Sequence, residues 1–239
     1  MKKIENRKSK IENVRAFTLI ELLLVIAIIG VIAGFTLVVL KPVKAAQYKK
    51  VATAEMNHLE TALENYKAKY GAYPPGNASS GYTPPIYASM LNQLYYELAG
   101  TSTNLNPGYF TTLDGSSKIA IGDVQTAYNV GGFVNSGQVN NSDPDAKTPQ
   151  NFLSGLSSKQ IVGSVTNRTI PTTILVTSVG GPDTAYQPLQ AAGINPFRYV
   201  YPGVNNPGGY DLWVQLVISG QTNLICNWSR QVQINSSLP

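Results

Sequence analysis

Between positions 17 and 40 the chain is apolar at nearly every residue, and Glu21 is the one ionisable side chain in the run. Those 24 residues, at about 1.5 Å each, predict a helix long enough to cross a hydrocarbon core of about 30 Å once. A carboxylate at that depth is costly, so it is expected to have a partner and a task. Gly30 and Gly34 stand in G-x-x-x-G spacing, which lets two helix backbones approach closely or marks a point where the helix unwinds. The residues alone leave both readings open. Pro42 follows and predicts a kink, because it removes a helical hydrogen bond.

Beyond Pro42 the pattern changes from continuous to periodic. Ala45, Tyr48, Ala52, Met56, Leu59, Leu63, Tyr66 and Tyr70 recur at spacings of three and four, with Lys49, Lys50, Glu55, Glu60, Glu64 and Lys67 between them. This is one helix with one buried stripe. Gly71 and then Tyr73-Pro74-Pro75 end it. A Gly, Asn, Ser and Pro connector leads to a second helix expected over 88–99. Residues 101–170 have no clear period and read as irregular. Four β-branched and aromatic runs follow at 173–177, 197–201, 210–218 and 222–228, with Ser219-Gly220-Gln221 closing a hairpin between the last two.

The expected fold is α+β: a long N-terminal membrane-spanning helix continuing into a globular domain with a C-terminal antiparallel β-sheet. The expected segments are a cytoplasmic leader at 1–16, an assembly helix at 17–40, its amphipathic continuation at 41–75, a variable insertion at 76–194 and the sheet at 195–239.

Charge sharpens this picture. The formal net charge of the 239 residues is +5, but six basic and two acidic residues fall in the first 16, and the rest carries 12 against 11. No nucleic-acid surface is implied by that balance. A basic segment before an apolar helix predicts a cytoplasmic N-terminus, with the remainder across the inner membrane. A single cysteine, Cys226, excludes an internal disulfide and reads as a buried thiol.

Candidate catalytic chemistry is sparse. His58 is the only histidine, and one His with one Cys falls short of a zinc ligand set. No G-x-S-x-G elbow is present. Asp143 and Asp145 flank Pro144 and read as a turn. Gly131-Gly132, Gly180-Gly181 and Gly208-Gly209 lack the P-loop continuation and read as turns too. Several of the 14 tyrosines, including Tyr82, Tyr87, Tyr109 and Tyr186, fall in loops, where they form a sugar- or surface-binding face or pack locally. No enzyme is expected.

The string Ala16-Phe17-Thr18-Leu19-Ile20-Glu21-Leu22-Leu23, with its charged leader and apolar helix, resembles the prepilin-type signal of type IV pilins and type II secretion pseudopilins. Ala16 stands where that family usually has Gly. The resemblance implies cleavage between Ala16 and Phe17 by a prepilin peptidase and N-methylation of Phe17. It also implies that Glu21 pairs with the Phe17 amine of a neighbouring copy. Expected partners are copies of the chain, the peptidase, an inner-membrane assembly platform and minor pilin-like subunits.

A looser likeness runs through Tyr70-Gly71-Ala72-Tyr73-Pro74-Pro75, Asn195-Pro196-Phe197-Arg198-Tyr199, Pro202-Gly203 and Tyr210-Asp211-Leu212. It is similar to the major pseudopilin of type II secretion, whose C-terminal loop often holds calcium. Asp211 is followed by a strand pattern without a further acidic residue, and calcium needs 6–8 oxygen ligands. No cofactor is expected. Three functions remain open: a secretion pseudopilin driving protein export, a type IV pilin for adhesion, motility or DNA uptake, and a membrane-tethered binding protein that never polymerises.

Overall fold

The computed structural model describes residues 17–106, 108–138 and 148–236, with the backbone alone for 36–41. The chain divides into two compact units between Lys44 and Ala45. Helix α1, Leu19–Tyr70, is continuous over 52 residues and contains Pro42. In the first unit every described side chain from 17 to 35 is exposed.

The second unit is built on the periodic stripe of α1. Ala52, Met56, Leu59, Ala62, Leu63 and Tyr66 are buried in one core with Leu94, Leu98, Phe152, Tyr199, Leu212, Val214, Leu216 and Ile225. The helix stops where the chain turns left-handed at Gly71 (φ +83°), whose N–H donates to the Lys67 carbonyl at 2.7 Å. Only a residue without Cβ takes that conformation readily.

Two short helices follow, α2 (Tyr87–Met90) and α3 (Leu94–Ala99), where the spacing predicts one. Asn92 causes the break. Its Nδ2 donates to the carbonyls of Ser89 (2.6 Å) and Phe197 (3.2 Å), and its Oδ1 accepts from the Leu94 N–H (3.1 Å). A side chain bonding its own backbone in this way competes with the helical ladder.

Strands β1 (Thr101–Leu105), β2 (Gly108–Thr112) and β3 (Lys118–Ala120) lead into α4 (Ile121–Tyr128) and then β4 (Ser136–Gln138). They form a sheet of order β3-β2-β1-β4, with β1 and β4 parallel. A capped 3-10 turn at Ser158–Gln160 precedes β5 (Ile161–Asn167) and β6 (Ile170–Leu175), a two-stranded antiparallel ladder. Finally β7 (Arg198–Val200), β8 (Asp211–Ile218), β9 (Gln221–Cys226) and β10 (Gln233–Ile234) make an antiparallel sheet of order β10-β9-β8-β7. On β8, Leu212, Val214 and Leu216 join the α1 core, while Trp213 packs with Leu224 and Cys226 in a separate cluster. The alternation follows from the period of two along a strand.

The expected fold is corrected in two respects. Among the described residues no helix is long and apolar enough to cross a membrane, which overturns both the membrane-spanning helix and the single-pass inner-membrane location. Glu21 stands inside the apolar run, and a charged side chain there is costly in hydrocarbon. Secondly, the fold is mixed, with three sheets among the described residues rather than one, because the stretch read as irregular over 101–170 holds β1 to β5 and α4. Its strands are rich in Ser, Thr and Asn and pair through backbone bonds with few apolar positions to announce them.

Leu63 is fully buried, so Leu63→Ala is expected to lower unfolding stability by about 2–5 kcal/mol. Lys50→Ala on the opposite, exposed side is expected to change it by under about 0.5 kcal/mol. Urea denaturation of the two variants checks the assignment of the stripe.

Candidate functional site

The first turn of α1 is closed by its own residues. The Thr18 N–H and hydroxyl both donate to Glu21 Oε2, at 2.9 and 2.8 Å, and the Glu21 N–H donates back to Thr18 Oγ1 at 3.3 Å. This reciprocal arrangement is a capping box: it satisfies backbone donors that a helix start leaves open, and it places a carboxylate at the positive end of the helix dipole. Phe17 immediately precedes it, 77% exposed. Ala16 lies outside the described residues, as do the leader, Asp143 and Asp145. Gly30 and Gly34 lie within α1, and a Cβ added at either would meet nothing within 4 Å. Pro42 sits inside the same helix.

In the second unit, by contrast, Glu97 and Glu55 accept from segments distant in sequence. Glu97 on α3 is fully buried. Its Oε2 accepts from the Tyr66 hydroxyl (2.9 Å) and the Asn135 N–H (3.0 Å), and its Oε1 accepts from the Val134 N–H (2.9 Å). Burial pushes the Glu97 carboxyl up from its ordinary value, against the pull of those three donors. Burial, with Glu97 beside it, also pushes the Tyr66 phenol up. Asn135 extends the tie, donating to the carbonyls of Glu97 and Gln150 (2.7 Å each) and accepting from Tyr70 (2.7 Å). Glu55 on α1 accepts from Thr177 Oγ1 at 2.7 Å and from the Ser178 hydroxyl and N–H. Sequence reading missed Glu97 and Glu55 as anchors, since each stands in an ordinary helical position.

Asp211, at the start of β8, organises the preceding loop. Its Oδ2 accepts from the Val204 N–H (2.9 Å), the Asn205 N–H (2.8 Å) and Asn205 Nδ2 (3.0 Å), and its Oδ1 accepts from the Asn206 N–H (2.9 Å). The loop passes so close that a Cβ at Gly203 would lie 2.7 Å from Asp211 Oδ1. The donors collected here are N–H groups, which suit a carboxylate and not a cation. Among the described residues no three His, Cys, Asp or Glu side chains converge as metal ligands. Cys226 is buried and free.

The four tyrosines expected in loops disperse, and two of them lie in regular elements, Tyr87 at the start of α2 and Tyr109 in β2. Tyr82 and Tyr87 line one cleft with Arg168, Tyr186 bonds the buried Arg198 at 2.6 Å, and Tyr109 lies under Lys118.

A helix start that exposes apolar side chains and one capped carboxylate, ahead of a closed mixed unit with structural polar ties, has the features of an assembling subunit. The comparison with known proteins agrees at that level: the chain is similar to the fimbrial protein EcpC of Eikenella corrodens, 29% identical over 136 residues, or 56% of this chain and 86% of that protein. This likeness supports a pilin-like, fimbrial kinship and nothing finer. No protein-family model matches the chain, and no solved structure matches it.

Because the Glu97 carboxyl is raised in the fold, its contribution to stability is fully present below the unfolded value of 4.5 and is lost as pH rises through the folded value. Glu97→Gln removes that titration and sets an amide N–H against the Val134 or Asn135 N–H. The variant is expected to be less stable by about 1–3 kcal/mol and to lack the wild-type decline between pH 4.5 and neutrality. Urea unfolding of both proteins across that range checks the sign.

Proposed function

We propose that this chain is a structural subunit of a fimbrial, pilin-like filament and assembles with copies of itself through residues 17–35. The observation that carries the reading is the exposure of every described side chain in that segment, with Phe17, Leu19, Ile20 and Phe35 each above 70%. Covering a Leu or Ile side chain is worth about 1.5–3 kcal/mol, and a helix that is apolar all round is buried in its working state. Copies of the same helix supply that cover for one another, and a head-to-tail contact that does not close gives a fibre.

Inside such a bundle Glu21 leaves water and needs a cation. Cleavage between Ala16 and Phe17 creates one, since the Phe17 α-amine then stands four positions ahead of the carboxylate, about 6 Å along the helix axis. A copy displaced by about one turn brings this amine to Glu21, and the pair avoids the cost of either charge alone. The capping box is compatible with this, for both Thr18 bonds use Oε2 and Oε1 accepts the neighbour. Gly30 and Gly34, with open space around their Cα atoms, admit close backbone approach between copies. A prepilin-type peptidase performs the cut and methylates Phe17. Between a surface fibre and a secretion pseudopilus, the fimbrial relative favours the fibre.

Glu21→Gln keeps hydrogen-bonding capacity toward Thr18 and removes the charge, whereas Thr18→Ala removes the cap and keeps the carboxylate. Electron microscopy of cells producing each variant is expected to show filaments lost with Glu21→Gln and retained with Thr18→Ala. Circular dichroism should report a folded second unit in both. Normal filaments from Glu21→Gln would contradict the charge pairing.

A further inference from the structure

A cleft of about 490 Å³ lies between the β5–β6 hairpin and the loops around Tyr87 and Gln190, a volume that suits one or two sugar units. Its polar rim carries Thr83, Ser164, Thr166 and Gln190, Tyr87 adds half-buried ring surface, and Arg168 is the one charged residue among the described lining. The Arg168 guanidinium is held in place: Nη1 donates to the Thr126 carbonyl (3.1 Å), Nη2 to the Ser80 carbonyl (2.9 Å), and its carbon lies 4.6 Å from the Tyr82 ring centroid. Both acceptors are neutral, so among the described residues the charge is not compensated, and each terminal nitrogen keeps a second N–H.

The backbone around the cleft is also unusual. Six non-glycine residues among those described have positive φ, and three of them line this cleft: Ser164 (58°), Arg168 (59°) and Gln190 (57°). A bulge between Val162 and Val165 breaks the β5–β6 register at Ser164. Such conformations are costly for residues with a Cβ and gather where a side chain has to be re-aimed at a ligand. The rim side chains are hydroxyls and an amide, which both donate and accept, as vicinal hydroxyls of a sugar require.

We propose that this cleft binds an acidic saccharide, with its carboxylate against Arg168, its hydroxyls on Ser164, Thr166 and Gln190, and one ring face toward Tyr87. The site is independent of filament assembly, and it gives the subunit a recognition surface in addition to a structural role. Guanidinium recognition of a carboxylate accounts for the preference over a neutral sugar, and the hydroxyl rim accounts for the preference over a simple carboxylate.

The test is saturation-transfer NMR on the full chain with three probes: D-glucuronate, D-glucose and acetate. Glucuronate is expected to bind roughly tenfold tighter than either of the others. Thr166→Trp, an exposed position on the cleft wall, is expected to abolish binding with an unchanged circular dichroism spectrum. Arg168→Lys is expected to weaken glucuronate binding and leave glucose binding unaltered. Equal binding of glucose and glucuronate, acetate binding as tightly as glucuronate, or undiminished binding by Thr166→Trp would each overturn the proposal. Filament counts of the Thr166→Trp variant, read in parallel, separate this result from the fate of the assembly reading.

Discussion

The structure depends on one requirement of α1: a 52-residue helix with apolar side chains along both halves must have both halves covered. From Ala45 onward the chain meets that requirement internally. The stripe from Ala52 to Tyr66 lies in the main core with residues of α3, β7, β8 and β9, and at its end Tyr66 packs tilted, and Tyr70 edge to face, against Phe152. Before Lys44 the described side chains find no such cover. Burial of apolar area is the dominant favourable term in folding and association alike, so in the proposed filament the first segment draws its cover from neighbouring copies as the second draws it from the rest of the fold.

Carboxylates divide in the same way. Glu55 and Glu97 each gather N–H and O–H donors from segments remote in sequence, Asp211 gathers N–H donors from the loop just before it, and Glu97 binds α1 to the segment around Asn135 through Tyr66 and Tyr70. These are structural uses of charge, in which the loop closes around an acceptor that it fully satisfies. Glu21 is different because its partners are its own neighbours in the first turn. It is satisfied while exposed, and only burial of the surrounding apolar surface gives it need of a counter-charge. In the proposed filament that dependence couples ionic pairing to assembly.

Sequence reading found what periodicity encodes. The spacing of Ala52, Met56, Leu59, Leu63 and Tyr66 marked the buried face of α1, Gly71 marked its end, and the runs around Val214 and Leu224 marked two strands of the last sheet. It failed where local chemistry overrides period. Asn92 splits a helix by bonding its own backbone, and β1, with Thr, Ser, Thr and Asn, offers no apolar alternation. Glu21 is legible as exceptional in the apolar run, and Thr-x-x-Glu ahead of such a run also carries the pattern of the capping box that the structure shows with Thr18. The cleft at Arg168 was invisible because its residues come from three segments far apart in sequence, and only Tyr82 and Tyr87 hinted at it.

The most direct measurement on the central claim is zero-length carbodiimide cross-linking of filaments assembled from a mixture of ¹⁴N- and ¹⁵N-labelled chains, followed by peptide mass spectrometry. A carboxylate in contact with an amine forms an amide bond under these conditions, and mixed labelling shows whether the bond joins two copies. The account predicts a mixed-label product joining Glu21 to the amino group of Phe17. Filaments that yield Glu21 unlinked, or linked only to a lysine of the second unit, would contradict it.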